Sequence, residues 1–492
     1  MSSSPTGWSS LRLSIPQGGR GVLASALIAS CLLLPFLGSR HLLNPDEPRD
    51  AEVAREFADG GWSVVPRLNG EPYFSKPPLF FGSVGLLMKA TGSQEEWVAR
   101  AGAALHGVLA VAATAALGEI LLGPGFGFLA GLLLLGTPYA LLRFRTCTTD
   151  VGLTAWITVA ILLLVLAERR GSMLLSLAGG ASAGLAVWAK AHHGLLFPFL
   201  VVGIATALDR ERRPGAAKRI GIGIFTGAVV AGMWVLVLRL SESSGGGADP
   251  ARTFLLGNVE KRFGAEAHHQ GGFFDYWHLL YRGLPWTLVA AAAVWVFYRG
   301  GKEERGRLRL PLVWVAGMVL ALSLSPAKRD SYLLPVLPGL VLLAAGTVPA
   351  RFMRWTAGAA LLAGAATLAG EVLWVAPRSD AEWGGPVAAE FDRAAAGRPV
   401  VFFRMGEGDI GQFCFPLRRT IPVAWDEEDL RRVSDGKPVV IVVEKGVPEA
   451  STREDPDKGR RRRLSPDLLA RWTLLGEHTA SETWRWYGWD GR

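Results

Sequence analysis

Two neighbouring carboxylates, Asp46 and Glu47, begin a polar, proline-punctuated stretch that runs from residue 44 to residue 78. Pro48 suits the first turn of a helix, and small apolar residues recur at helical spacing after it. The pattern predicts a short amphipathic helix with both carboxylates at its N-terminal end. Unpaired backbone N–H groups and the helix dipole favour ionised carboxylates there, so we expect Asp46 to be charged and directed at a ligand.

Basic side chains that could bind a phosphate occur in several polar connections of the chain. Charge-assisted hydrogen bonds to a phosphate dianion are among the strongest that a protein makes, so a ring of such cations suits a phosphate or pyrophosphate. The alternative is that each residue only anchors a helix end by extending its charge to the membrane surface. The candidates are Arg49, Lys76, Arg143 and Arg145 with Asp150, Lys190 with His192 and His193, and Lys328 with Arg329.

A second polar stretch, residues 241–272, contains Glu260, Arg262, His268 and His269. These side chains could bind a metal or the polar part of a substrate, although a pair of adjacent histidines is more often a surface feature than a metal site. Three consecutive glycines in this stretch indicate either a mobile lid or a simple linker.

The composition indicates a membrane protein that carries these groups. Of 492 residues, 50% are hydrophobic and 19% are charged, and the mean hydropathy is +0.27. Such a chain is too apolar for an ordinary soluble enzyme. The net charge of +9 lies mostly in short loops, as membrane orientation requires, so we expect no nucleic-acid partner. The three cysteines show neither a disulfide framework nor a metal-binding spacing.

About eleven apolar runs approach the roughly 20 residues that cross a bilayer. The first run is interpreted as an uncleaved helix rather than a signal peptide, because it is long and lacks a convincing cleavage site. Residues 79–90 are shorter and predict a juxtamembrane or re-entrant helix. The runs lie near residues 21–38, 99–122, 126–142, 151–167, 173–189, 194–208, 220–240, 273–298, 310–325, 332–349 and 355–375.

The distribution of Lys and Arg between these runs predicts a cytoplasmic N-terminus. Loops 39–98 and 241–272 are then on the outer face, and an odd number of spans puts residues 377–492 outside as well. We therefore expect a transmembrane domain over residues 1–376 and a small soluble α/β domain, periplasmic if the cell has two membranes, over residues 377–492.

Alternating and amphipathic patterns predict the elements of this second domain. Strands are expected at 399–405, 420–425, 438–445 and 481–489, and helices at 426–435 and 465–475. The basic run at 458–463 is either a solvated loop or a contact with anionic lipid headgroups.

Six motifs follow one another in a distinctive order: DEPRDAEVAREF, WSVVPRLNGEPYFSKPPL, RFRTCTTDVGLTAW, AKAHHG, NVEKRFGAEAHHQGGFFDYW and SPAKRDSYLLPVLPGL. This order resembles the bacterial aminoarabinose lipid A transferases and their relatives among the protein-mannosyltransferase-like, GT-C type glycosyltransferases. The first-loop motif is specific, whereas each later motif alone is weak. The resemblance implies a polytopic α-helical fold and the transfer of a sugar, with inversion, from a polyprenyl-phosphate carrier to an acceptor on the outer face of the inner membrane.

The resemblance also implies roles for single residues. Asp46 matches the first-loop aspartate of the family, and Lys76 matches the lysine that meets the carrier phosphate. Asp150 matches an acidic residue after the third span. Tyr332 matches the tyrosine of a K-x-x-x-Y-x-L-P segment, in which Lys328 is the preceding base.

The resemblance leaves open whether this chain binds a divalent metal. The family histidine of the second outer loop falls on His268 or His269, and family members commonly have Glu immediately before the loop lysine. This chain has Ser75 there. A metal held jointly by that Glu and a loop histidine is therefore not carried over.

The predicted chemistry follows from the leaving group. A polyprenyl phosphate departs as a stabilised anion, so cations such as Lys76, Arg145, Lys190 and Lys328 matter more than a general acid. The predicted catalytic residues are Asp46 and its neighbour Glu47. Asp46 would act as general base toward a hydroxyl acceptor, or would position an acceptor phosphate that is already ionised.

The predicted function is that of an integral-membrane glycosyltransferase of the inner membrane. Its partners are a polyprenyl-phosphate-sugar donor, membrane lipids and an envelope acceptor, which is a lipid A-like glycolipid or another glycan. The enzymatic alternative is a protein O-mannosyltransferase-like enzyme that acts on Ser or Thr. The non-enzymatic alternative is a transporter or flippase of lipid-linked sugars, but the predicted spans lack the mid-helix charges expected of one.

Overall fold

Most of the described chain is helical. Within a bilayer only helices and closed barrels satisfy their own backbone hydrogen bonds, which suits the long apolar runs of this sequence. The structure is a computed structural model, and it describes residues 15–43, 45–60, 64–190, 192–209, 214–241, 250–255, 271–382, 384–444, 470–479 and 483–490.

The first half of the chain contains ten helices within the described residues before 242 and one short hairpin. The hairpin pairs β1 (Arg67–Leu68) with β2 (Glu71–Pro72). The helices are α1 (Gly18–Leu33), α2 (Asp46–Asp59), α3 (Leu79–Thr91), α4 (Glu96–Leu121), α5 (Phe126–Leu135), α6 (Pro138–Phe144), α7 (Thr149–Arg170), α8 (Met173–Ala189), α9 (His193–Ala207) and α10 (Ala216–Ser241).

The following helices complete the membrane part. Two of them are preceded by a 3-10 turn, at Asp330–Val336 and at Ala350–Phe352, and the last one ends in the π-helical turn Glu371–Val375. They are α11 (Pro250–Leu255), α12 (Asp275–His278) with the 3-10 turn Leu279–Gly283, α13 (Trp286–Arg299), α14 (Lys302–Ser323), α15 (Leu337–Thr347) and α16 (Met353–Gly370).

Each of the eleven predicted apolar runs overlaps a helix or a bent pair of helices. Within the described residues, six helices are long and apolar enough to cross a membrane, or up to eight if each bent pair is one span. The pair α5 and α6 is bent by 75° at Gly136 and Thr137. Three further predicted runs are helices of 15 to 17 residues, α1, α8 and α9. The number of spans therefore stays a prediction.

The C-terminal part is built around a five-stranded sheet in the order β4-β3-β5-β7-β6. Strand β3 is parallel to β4 and β5, whereas β7 is antiparallel to β5 and β6. The elements are α17 (Gly385–Ala395), β3 (Val400–Phe403), α18 (Glu407–Leu417), β4 (Val423–Ala424), α19 (Glu427–Ser434), β5 (Val439–Glu444), β6 (Thr473–Thr479) and β7 (Thr483–Trp489).

The predicted strands of this domain and the helix at 426–435 are confirmed. The helix predicted at 465–475 is wrong from Thr473 onward, because Thr473 and Leu474 pair with Gly488 and Tyr487 of β7. Residues 465–469 and the basic run at 458–463 lie outside the described residues. The domain boundary at residue 376 stays a prediction.

One hydrophobic core joins helices α2 and α3 to the C-terminal sheet. It contains Val53 of α2, Phe80 of α3, Phe402 of β3, Phe413 of α18 and Trp484 of β7, all shielded from solvent. Helix α2 is consequently enclosed on several sides, although its sequence is polar. The residues at its N-terminus are held between the membrane helices and the sheet domain.

Candidate active site

Asp46 is the first residue of α2 and the most open carboxylate of the site. Its side chain is 37% exposed, whereas those of Asp150 and Asp50 are 9% and 0% exposed. Oδ1 accepts a hydrogen bond of 2.6 Å from Arg49 Nη2, and Oδ2 lies 3.7 Å from Arg329 Nη1. Burial would raise the pKa of Asp46, but these two arginines and the charge of Lys76 lower it well below its ordinary value. Asp46 is therefore ionised at neutral pH.

Asp50 lies one helical turn after Asp46 and binds the loop lysine. Lys76 Nζ is 2.8 Å from Oδ1 and 3.0 Å from Oδ2 of Asp50, and Arg49 Nε also donates to Oδ1 at 3.0 Å. The backbone N–H of Thr149 donates to Oδ2 at 3.3 Å. Burial and the neighbouring Arg49 lower the pKa of Lys76. The Lys76 ammonium is thus fixed in one place beside Asp46.

Asp50 is a residue of the site that was not predicted from the sequence. The signal that could have found it is its position four residues after Asp46, because side chains at that spacing lie on the same face of a helix.

A second ion pair, between Lys190 and Asp150, faces the same region. Lys190 follows the end of α8, and Asp150 lies in the first turn of α7. Lys190 Nζ is 5.1 Å from the centroid of the Tyr332 ring, and the ring of His193 stacks on Tyr332 at 6.2 Å. The charge of Lys190 also acts on Asp46. The structure therefore brings the predicted residues Asp46, Lys76, Asp150, Lys190 and Tyr332 together.

Arg143 borders this group through Tyr139. Its guanidinium lies 5.4 Å from the centroid of the Tyr139 ring, and Arg282 lies 5.0 Å from the same centroid. Arg282 in turn forms an ion pair with Asp330. The carboxylates of Asp150 and Asp46 both act electrostatically on Arg143.

Glu47 occupies a closed network instead of the open side of the site. Its Oε1 accepts from Arg100 Nε at 2.8 Å and from the backbone N–H of Cys147 at 3.0 Å. Its Oε2 accepts from Arg40 Nη1 at 2.8 Å and from the backbone N–H of Leu43 at 3.0 Å. With a side chain 1% exposed, Glu47 has no free face for a substrate. Its predicted catalytic role remains a prediction that this geometry does not favour.

Arg145 belongs to the same buried network. Its Nε donates to Glu371 Oε2 at 2.5 Å, and its Nη1 donates to the carbonyls of Leu33 and Pro35 at 2.8 Å. Arg40 Nε donates to the other oxygen of Glu371 at 2.9 Å. The structure thus gives Arg145 partners inside the protein, and its predicted contact with a carrier phosphate is not favoured.

Lys328 also points away from Asp46. Its Nζ donates to the carbonyls of Ser323 and Ser325 at the end of α14, and it lies 5.1 Å from the centroid of the Tyr276 ring. The neighbouring Arg329 is the residue of this pair that approaches Asp46. Arg329 therefore lies closer to the predicted site than Lys328 does, and the role of Lys328 stays a prediction that this geometry does not favour.

Four predicted residues, Glu260, Arg262, His268 and His269, lie outside the described residues. Among the residues that the structure does describe, no group of three or more His, Cys, Asp or Glu side chains could hold a metal ion. The residue before Lys76 is Ser75, which offers a hydroxyl rather than a carboxylate. Metal dependence accordingly remains an open prediction.

Comparison with solved structures identifies the fold. ArnT from Cupriavidus metallidurans bound to undecaprenyl phosphate aligns over 95% of this chain and 97% of that chain, with a TM-score of 0.73 at 18% identity. The chain has the fold of ArnT. The archaeal oligosaccharyltransferase AglB from Archaeoglobus fulgidus, solved with an inhibitory peptide and a dolichol-phosphate, is more distant, with a TM-score of 0.52 at 13% identity over 86% of this chain and 69% of that chain.

Sequence comparisons agree with the fold of ArnT. Residues 75–236 match the family described as dolichyl-phosphate-mannose-protein mannosyltransferase. An undecaprenyl phosphate-alpha-4-amino-4-deoxy-L-arabinose arabinosyl transferase from Aeromonas salmonicida is 28% identical over 321 residues, which are 64% of this chain and 57% of that protein. One with the same description from Sodalis glossinidius is 29% identical over 341 residues, 66% of this chain and 58% of that protein.

These comparisons confirm the resemblance drawn from the motifs, and with it a polytopic α-helical membrane fold. The chain spans less than two thirds of the length of those curated relatives.

Proposed function

We propose that the chain is an integral-membrane glycosyltransferase that moves a sugar from a polyprenyl-phosphate carrier to an envelope acceptor, with inversion. The observation that carries this proposal is an ionised, half-open Asp46 surrounded by Arg49, Lys76, Lys190 and Arg329. Transfer of a phosphate-linked sugar requires cations that bind the phosphate and a carboxylate that faces the sugar. Both kinds of group are present at this place. The names of the relatives and of the ArnT complex with undecaprenyl phosphate support the same donor class.

The cations act on the leaving group. The bond between the anomeric carbon and the carrier phosphate oxygen breaks, and its electron pair leaves with the phosphate. Lys76 and Lys190 are each held by one carboxylate, Asp50 and Asp150, so their ammonium groups are in position before the donor arrives. Such preorganised charges stabilise the transition state without further reorganisation.

The electrostatics of Asp46 favour an acceptor that is already ionised. A general base works best when its pKa lies near the operating pH, whereas the pKa of Asp46 is well below the ordinary carboxyl value. Asp46 is therefore a weak base for a Ser or Thr hydroxyl. It is better suited to orient the sugar and to stabilise positive charge that develops on it while an acceptor phosphate oxygen attacks. A glycolipid phosphate of the lipid A type is the acceptor that we propose.

We place the N-terminus in the cytoplasm and the site on the outer face of the inner membrane. This orientation rests on the distribution of Lys and Arg between the apolar runs. We assign no metal to the reaction, and each step above uses side chains of the described chain.

The decisive experiment compares envelope lipids, glycans and proteins by mass spectrometry in cells with the wild-type chain, with Asp46→Asn, and without the chain. We expect a sugar modification on a phosphorylated glycolipid in wild-type cells alone. Asp435→Asn is the matched control, because Asp435 is an exposed residue whose side chain is 81% accessible. It should behave as wild type.

Different results would redirect the proposal. A sugar found on protein Ser or Thr would identify the mannosyltransferase-like alternative, and redistribution of lipid-linked sugars without any transfer product would identify a transporter. Substantial transfer by a correctly folded Asp46→Asn protein would remove Asp46 from the reaction.

A further inference from the structure

The C-terminal domain touches the catalytic helix at its first turn, through Gly411 of α18. A Cβ atom at position 411 would lie 2.4 Å from both N and Cα of Arg49 and 2.7 Å from the carbonyl carbon of Pro48. Since no side chain fits in such a space, glycine lets the two helices meet backbone to backbone. This contact fixes the turn that carries Asp46.

The same helix supplies a carboxylate to Arg49. Glu407, the first residue of α18, has its Oε2 3.9 Å from Arg49 Nη1 and accepts a hydrogen bond of 3.2 Å from the Tyr73 hydroxyl. Burial raises the pKa of Tyr73 well above its ordinary value, so the hydroxyl remains a donor. Arg49 is thus surrounded by Asp46, Asp50 and Glu407, and the last of these comes from the C-terminal domain.

A separate set of hydrogen bonds holds the first outer loop to the same domain. Asn69, in the turn between β1 and β2, donates through Nδ2 to the Ile421 carbonyl at 2.6 Å and accepts from the Ile421 N–H at 2.7 Å. Glu56 of α2 accepts from the Gly70 N–H at 2.8 Å. The domain is therefore docked on α2 and on its loop at two distinct places.

We propose that the C-terminal domain is a working part of the catalytic centre, in which Gly411 and Glu407 are positioning residues that hold Arg49 and, through it, Asp46. The kinetic consequences rest on the proposed glycosyl transfer. Loss of this positioning should lower kcat more than it raises KM for the donor, because the pair of Lys190 with Asp150 lies on other helices than the turn that Gly411 contacts. A purely structural role would instead reduce the amount of folded protein.

The first test is Gly411→Ala in the full-length protein, with transfer measured per folded molecule. The added methyl group must separate α18 from α2, and we expect kcat to fall about tenfold or more with KM changed less than about twofold, since small misplacements of a reacting group have large kinetic effects. Gly358→Ala is the control, because a Cβ at Gly358 meets no atom within 4 Å.

The second test is Glu407→Gln, which keeps the size of a side chain that is 40% exposed and removes only its charge. We expect kcat to fall several-fold at unchanged KM, whereas the exposed Glu427→Gln should behave as wild type. If Gly411→Ala does not fold, the kinetics of Glu407→Gln alone test the proposal. Unchanged kcat in a folded Gly411→Ala protein and in Glu407→Gln would overturn the proposal.

Hydrogen exchange provides a readout that does not depend on activity. The backbone amides of residues 46–50, apart from Pro48, which has no N–H, should exchange faster in Gly411→Ala than in wild type, and no faster in Gly358→Ala. If the wild-type protein neither binds undecaprenyl phosphate nor transfers a sugar, the proposed function fails while the exchange result still tests the contact. Equal exchange of residues 46–50 in all three proteins would contradict the positioning of α2 by Gly411.

Discussion

Lys76 donates to both carboxylate oxygens of Asp50, at 2.8 Å and 3.0 Å, and Asp50 is completely shielded from solvent. The pair joins the part of the polar stretch that follows β2 to the beginning of α2. A buried ion pair of this kind fixes geometry more than it adds stability, because desolvation offsets much of the attraction. Asp50 therefore fixes the position of the Lys76 ammonium group.

Replacing Asp50 tests this relationship. Asp50→Asn leaves Lys76 and Arg49 with less compensating charge in a buried place, so we expect the free energy of unfolding to fall by about 3 to 5 kcal/mol. Denaturation in detergent micelles measures the change. Asp392→Asn, which breaks an exposed pair with Arg419, should cost less than about 1 kcal/mol. Equal stability of the two variants would contradict the structural role of Asp50.

Lys76 is expected to carry part of the affinity for the carrier phosphate. Lys76→Met should weaken binding of undecaprenyl phosphate about 10- to 100-fold, because a charge-assisted hydrogen bond to the phosphate is lost. Ligand-induced thermal stabilisation of the purified protein measures the affinity. Lys437→Met is the control, since the Lys437 side chain is 69% exposed in the C-terminal domain. If Lys76→Met bound undecaprenyl phosphate as tightly as wild type and Lys437→Met do, the phosphate would have to bind away from Lys76.

Glu47 should act on stability rather than on chemistry. Glu47→Gln deprives Arg40 and Arg100 of a buried counter-charge, and we expect the free energy of unfolding to fall by about 3 to 5 kcal/mol. Transfer per folded molecule should fall far less than in Asp46→Asn, for which we expect a loss of about a hundredfold or more. Parallel kinetics and denaturation of the two variants check this. A stable Glu47→Gln protein as inactive as Asp46→Asn would return Glu47 to the catalytic group.

Glu52 should make stability depend on pH. Burial raises the pKa of Glu52 from 4.5 to about 7, although Arg55 partly opposes the shift. Between these two values the folded protein keeps a proton that the unfolded chain has lost. Stability from this group is therefore greatest below pH 4.5 and falls by about 1.4 kcal/mol per pH unit until pH 7.

Comparison of wild type with Glu52→Gln isolates this dependence. The difference in unfolding free energy between the two proteins should change across the window from about pH 5 to pH 7 and stay constant above it. Glu427→Gln, an exposed substitution, should follow wild type at each pH. A constant difference between wild type and Glu52→Gln at all pH values would show that the pKa of Glu52 is the same in the folded protein and in the unfolded chain.

The sequence was most informative where a single local rule decides the outcome. The apolar runs predicted helices correctly, and the polar stretch with Pro48 predicted the helix that begins at Asp46. The cations Lys76 and Lys190 stood out because basic residues are scarce in outer connections. The strand at Thr473–Thr479 was misread because pairing with β7, and not local propensity, decides its conformation.

The partners of each charge could not be predicted from the sequence. Arg143 and Arg145 are two residues apart, yet one borders the site and the other is enclosed with Glu371. Lys328 and Arg329 are adjacent, yet only the arginine approaches Asp46. Which of two neighbours faces the site depends on the direction of the backbone and on partners far away in the chain, and composition does not encode either.

The shared apolar core imposes an order on the assembly of the molecule. Val53 lies near the start of the chain and Trp484 near its last strand, and both belong to one buried cluster. The helix that carries Asp46 is synthesised long before the strands that cover it. Its first turn therefore gains its contact with Gly411 only after α18 has been made, so the packing of an early element is completed by a much later one.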